Sequence, residues 1–162
     1  RLQSNPVPAL ANLQHLHMTT ICEEDLIRTI LFLTPRLSLL KLKSQCRVFK
    51  LKKAASAPPC APLPSLRTLY LEGTQFSHHI RPLAILAPES LDHIIELRLD
   101  DLVDTTLLKE LAPTLASLEI RMTSKKVTKN LAPCTKLRHL RITQSCEPSI
   151  MSNFLTRWGE SR

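Results

Sequence analysis

A chain of 162 residues that is 43% hydrophobic has apolar mass for one domain with a sizeable core, residues 1–162, and shows no boundary for a second. Its two glycines, Gly73 and Gly159, cannot spell a glycine-rich phosphate loop, and no apolar run nears the roughly 20 residues that cross a bilayer, which excludes many nucleotide enzymes and a membrane-spanning helix. A net charge of +8 raises nucleic acid as a partner, yet an acid-rich stretch from Glu89 to Asp104 divides two basic zones, Arg36 to Lys53 and Arg121 to Arg141, and 4% aromatic content leaves little to stack bases on.

The first predicted element is Leu13-Gln14-His15-Leu16-His17-Met18, a Leu-x-x-Leu-x-Leu phrase. It reads as a strand with its leucines inward and His15 and His17 outward, because side chains alternate across a strand. Thr20 to Glu23 has the spacing of a capping box, and Leu26, Ile27, Ile30 and Leu31 follow at helical intervals. A helix from about Glu23 to Leu33 is therefore expected, and Pro35 in Leu33-Thr34-Pro35 stops it before the next strand. The second phrase, Leu37 to Leu42, turns Leu39 and Lys41 outward, with Lys43 one step beyond. Residues 46–64 then break the pattern with the basic run Arg47, Lys50, Lys52 and Lys53 and a proline- and alanine-rich tract, which predicts a long exposed loop.

The third phrase, Leu66 to Leu71, presents Thr68 and Tyr70 and continues to Glu72. Ser77 leads a predicted helix from His78 to Leu86, closed by Leu86-Ala87-Pro88. The fourth phrase, Ile94 to Leu99, presents Glu96 and Arg98, with Asp100 beyond; Asp104 or Thr105 then leads a helix from Thr106 to Leu111 that Leu111-Ala112-Pro113 ends. In the fifth phrase, Leu115 to Ile120, Ser117 and Glu119 face outward and Arg121 follows, before one or two turns over Lys125 to Leu131 and the third Leu-Ala-Pro. The sixth, Leu137 to Ile142, presents His139 and Arg141. Beyond it Ile150, Met151, Phe154, Leu155 and Trp158 share one face of a predicted helix at about 148–158, suited to cap the last hydrophobic layer. Arg1 to Pro8 offers no such cap at the other end, and a start at Arg1 leads us to expect further sequence upstream.

The phrases begin at 13, 37, 66, 94, 115 and 137, spacings of 24, 29, 28, 21 and 22 residues, mostly within the range of leucine-rich repeats. The expected fold is accordingly an α/β leucine-rich-repeat solenoid, or horseshoe. About six parallel strands would line its concave face, with helices and irregular segments on the convex side. Five cysteines, odd in number and without a Cys-x-x-Cys pair, fit a reducing cytoplasmic or nuclear location, with Cys22, Cys46 and Cys146 packed in the core and Cys60 in the loop.

The chemistry-bearing groups do not assemble into a catalytic or metal site by spacing. His15 and His17 share a face, but the equivalent positions of the next phrase are Leu39 and Lys41, which supply no third ligand. Asp100, Asp101 and Asp104 lack the other oxygen ligands and the glycine of a calcium loop, and no nucleophile elbow is present. The reading is a non-catalytic domain, with no catalytic residue, metal or cofactor assigned and no membrane contact. Its candidate partner-binding residues are the outward ones, His15, His17, Lys41, Lys43, Tyr70, Glu72, Glu96, Arg98, Glu119, Arg121, His139 and Arg141. Tyr70, the one tyrosine, is the first-choice anchor for a protein target, since aromatic anchors often dominate binding. The competing reading packs it flat between Lys41 and Arg98.

The run Leu63-Pro64-Ser65-Leu66-Arg67-Thr68-Leu69-Tyr70-Leu71-Glu72-Gly73 and the closing Phe154-Leu155-Thr156-Arg157-Trp158 resemble the irregular repeats of fungal F-box/leucine-rich-repeat proteins, in the ribonuclease-inhibitor-like superfamily. The similarity spans roughly Leu10 to Trp158. It implies the substrate-recognition repeats of an F-box protein in a cullin-RING ubiquitin ligase. A Skp-type adaptor would bind only where an F-box lies upstream. The alternatives are a stand-alone repeat scaffold or the repeat region of an intracellular receptor, and, after those, nucleic-acid binding through the basic loop from Arg47 to Lys53.

Overall fold

The computed structural model describes residues 8–20, 24–44, 59–73, 85–100, 105–121 and 134–143, together with Leu131, Ser152 and Thr156. In chain order these form α1 (Pro8–Ala11), β1 (His15–Thr20), α2 (Glu24–Phe32), β2 (Leu39–Ser44), β3 (Thr68–Glu72), α3 (Pro88–Leu91), β4 (Glu96–Leu99), α4 (Thr105–Leu111), β5 (Ser117–Ile120) and β6 (His139–Ile142). The architecture is α/β with a single sheet of six parallel strands, ordered β1 to β6 as in the sequence. Parallel neighbours require a crossover, and each connector supplies one.

Register follows the phrases. His15 pairs with Leu39, Leu39 with Thr68, Thr68 with Glu96, Glu96 with Ser117 and Ser117 with His139, so strand offsets equal phrase spacings. The inward leucines consequently stack into two columns. Leu40, Leu69, Leu97 and Leu118 form one, at most 1% exposed, and Leu42, Leu71, Leu99 and Ile120 form the other. At the sheet edges Leu16, Met18, Leu140 and Ile142 are only partly buried, because each has a strand on one side alone. Burying a leucine fully contributes about 1.5–3 kcal/mol, so the interior strands carry more of this stabilisation than the edges.

Two backbone devices recur at the strand entries. The amide of each phrase's first residue donates back into a turn: Leu13 to the Leu10 carbonyl, Leu37 to Thr34, Leu66 to Leu63, Ile94 to Leu91, Leu115 to Leu111 and Leu137 to Cys134. The next carbonyl then accepts two amides from the following repeat. Gln14 O takes Ser38 and Leu39, Ser38 O takes Arg67 and Thr68, Arg67 O takes Ile95 and Glu96, Ile95 O takes Ala116 and Ser117, and Ala116 O takes Arg138 and His139, all at 2.8–3.1 Å. These bonds satisfy backbone groups that would otherwise be orphaned where the chain enters the sheet.

Where the connectors are described, α2 and α4 fall where the sequence predicts helices, and two differences appear elsewhere. Helix α2 buries Ile27 and Leu31 and carries Glu24 and Asp25 in its first turn, where carboxylates favour the helix dipole. Two residues past its end lies Thr34, whose buried hydroxyl donates to the Ile30 and Leu31 carbonyls. Helix α4 begins at Thr105, as the sequence predicts within a residue. The first difference is at Pro88, which opens α3 instead of only closing a helix. Extended Ala87 is its N-cap, and proline at the first helical positions forfeits no bond because that amide has no intrahelical partner.

The second difference concerns the loop at 46–64, expected to be exposed throughout. Leu63 is fully buried, and its amide donates to Ser90 Oγ at 2.8 Å, which pins the loop's end under α3. The basic run at 47–53, most of the predicted helices His78 to Leu86 and 148–158, the turns from Lys125, and Cys22, Cys46 and Cys146 lie outside the described residues. Ile85, Ser152 and Thr156, which fall in two of those predicted helices, are helical. Among the described residues, no helix is long and apolar enough to cross a membrane.

Candidate functional site

The polar residues that alternate with the core leucines form the open face of the sheet. One column across the strands reads His15, Leu39, Thr68, Glu96, Ser117, His139; the next reads His17, Lys41, Tyr70, Arg98, Glu119, Arg141. A third holds Thr19, Lys43 and Glu72, and the amides of Asp100, Arg121 and Thr143 extend it by bonding to Leu71, Leu99 and Ile120. The twelve residues singled out from the sequence therefore lie on one surface.

They do not stand independently. Lys41 Nζ pairs with the Glu72 carboxylate one strand away. The Tyr70 hydroxyl donates to Glu96 Oε1 at 2.9 Å, and the Thr68 hydroxyl reaches Glu96 Oε2 at 3.5 Å. The Arg98 guanidinium lies 4.5 Å from the centre of the Tyr70 ring, a cation over the negative face of an aromatic. Its Nη2 is 2.8 Å from Glu119 Oε2, and Arg141 Nη1 is 4.0 Å from the same oxygen. Alternating charge thus runs along one column from Arg98 through Glu119 to Arg141.

The Tyr70 ring packs against Arg98, as the competing reading has it, and its hydroxyl is engaged with Glu96 as well. Partial burial, reinforced by the Glu96 hydrogen bond and charge, holds the phenol above its ordinary pKa of 10.0, with Arg98 pulling the other way. Arg98 makes its contacts at a cost, because its Nε is buried without a hydrogen-bond partner.

Four histidine and lysine members lie on the face outside these contacts. His15, His17 and Lys43 are exposed on β1 and β2, and His139 is exposed on β6. Among the described residues, no three histidine, cysteine or carboxylate side chains group as metal ligands. Asp100 has a backbone role: its Oδ2 accepts the Gly73 amide at 2.9 Å, where Gly73 takes φ 111°, a left-handed turn that favours glycine. Cys134 is buried in the core, and burial pushes its thiol pKa up.

Between β5 and β6 the face sinks into an open depression of about 440 Å³, lined by Glu96, Ser117, Glu119, Arg138, His139 and Arg141 with Leu118 and Leu140. Arg138 and Ser117 fall outside the twelve candidates. Ser117 is legible as an outward position, whereas Arg138 precedes the strand, and only its place beside His139 marks it. Among the described residues, this face offers a set of hydrogen-bond donors and acceptors and paired charges. No family model matches the chain, and no curated protein or solved structure matches it.

Proposed function

We propose that this chain is a non-catalytic protein-interaction domain, a leucine-rich-repeat solenoid whose open sheet face is the concave surface that holds a protein target. The observation that carries this reading is the register: offsets equal to the phrase spacings set the outward residues into continuous columns over a buried leucine layer. A second support is pre-ordering. Side chains already held by Lys41–Glu72, Tyr70–Glu96 and Arg98–Glu119 lose less rotamer freedom when a partner docks. The resemblance to F-box repeats makes target recognition for a cullin-RING ubiquitin ligase the role we favour, with the repeats positioning a substrate and doing no chemistry.

The test is co-purification of the target with the complete protein and with face variants. Tyr70→Ala and the pair Arg98→Glu, Arg141→Glu should abolish capture while circular dichroism stays unchanged. Arg141→Glu alone is the cleanest variant, because Arg141 is the most exposed member of its cluster at 74%. Undiminished capture by all three would count against the face. The ubiquitin arm has its own readout, since the complete protein should bring down a Skp-type adaptor; its absence would return the domain to the scaffold or receptor class.

A further inference from the structure

The outward acids and bases of this face are unequally committed. Each of its four carboxylates has an internal partner: Glu72 takes Lys41, Glu96 takes Tyr70 and Thr68, Asp100 takes the Gly73 amide, and Glu119 takes Arg98. The cations at the β6 end are held far more loosely. Arg138 is exposed, and Arg141 stands 4.0 Å from a carboxylate that Arg98 already neutralises at 2.8 Å. A pair at such a distance, with its arginine exposed, contributes little, so Arg141 is available to a better acceptor.

We propose that the depression between β5 and β6 receives an acidic segment of the protein target, its carboxylates paired with Arg138 and Arg141 beside His139. This rests on the face being the target-binding surface. Guanidinium forks favour carboxylates because two parallel N–H donors match two oxygens, which gives geometric selectivity as well as charge. Ser117 lines the depression too, its register position lying between Glu96 and His139. The one acid of the depression not paired with a cation, Glu96, lies two strands from His139, about 10 Å at the usual strand spacing. At that distance its repulsion is weaker than the attraction of the arginines that the carboxylates would touch. Arg138 and Arg141 are three residues apart, also about 10 Å along an extended chain. Alternate side chains of an extended segment share a face, so acids at positions i and i+4 come within reach of both through the long glutamate and arginine side chains.

The probe is a dye-labelled Glu-Gly-Ser-Glu repeat peptide, titrated by fluorescence anisotropy against the whole chain. A Lys-for-Glu peptide and a single-stranded RNA of equal length serve as comparisons. The acidic peptide should bind in preference to both, and Arg138→Glu with Arg141→Glu should weaken it about tenfold or more, the scale of lost charge-assisted bonds. Lys109→Glu, the same charge reversal on α4, should change it less than twofold. Equal or tighter binding of the lysine peptide, binding of RNA alone, or indifference to the double variant would overturn the proposal. Photo-crosslinking residues placed singly at His17, Thr68 and Ser117 separate the two levels of argument. If the native target crosslinks at any of them yet ignores the double variant, the acidic segment is refuted and the face stands; if it crosslinks at none, both fall.

Discussion

Tyr70 concentrates the local physics of this face in one side chain. Its hydroxyl donates to Glu96 and its ring lies under Arg98, so removing it frees a carboxylate and a guanidinium at once. Folding holds the phenol's proton more firmly than the unfolded chain does, since burial and Glu96 both raise its pKa above 10.0. A group whose folded pKa is raised contributes stability that is complete below its unfolded pKa and is lost as pH rises through the folded one. The stabilisation from Tyr70 should therefore be full at neutral pH and disappear only above pH 10. Because the chain has a single tyrosine, its tyrosinate absorbance reports this residue alone. The folded midpoint should lie above that of the urea-unfolded chain, and Glu96→Gln should bring it down; coincident midpoints would mean the contact is not formed in solution.

At the scale of elements, the small hydroxyl residues between the repeats hold the turns together. Ser90, fully buried in α3, accepts the Leu63 amide from 27 positions away, and the Thr114 hydroxyl bonds the Ile94 and Leu111 carbonyls. Replacing Ser90 by Ala leaves the buried Leu63 amide without an acceptor, which costs about 1–3 kcal/mol. Urea denaturation should register this as a lower midpoint at an unchanged slope, the sign of lost stability without altered compactness. These roles were not legible in the sequence, where serine and threonine near a proline read as generic turn formers. The strands were legible because period-two leucines bury one face and leave the other outward, an argument that needs no knowledge of neighbours. Partners across strands escaped that argument. Lys41 could have met Glu72 or Tyr70, and side-chain geometry decides between them. Reading down the column Arg98, Glu119, Arg141 does show alternating sign, and that signal was available from the phrases.

For the whole molecule, the strand order has a thermodynamic corollary. Each strand pairs only with its sequence neighbours, so cohesion accumulates step by step along the sheet. Leu69, Leu97 and Leu118 are sealed on both sides, while Leu16 and Leu140 are only partly buried. Amide hydrogen exchange should accordingly be slowest in β3, β4 and β5 and faster in β1 and β6, since local opening follows the density of buried contacts. Uniform protection would indicate that segments outside the described residues seal the edges. The same order separates two kinds of change. Offsets between adjacent strands range from 21 to 29 residues, yet every strand arrives in the same register, because one carbonyl at each entry grips two amides of the next repeat. Connector length is thereby decoupled from surface chemistry. Insertions between strands leave the lettering of the face untouched, and that lettering is rewritten only by exchanging the two or three outward residues of a strand, or by copying a strand whole.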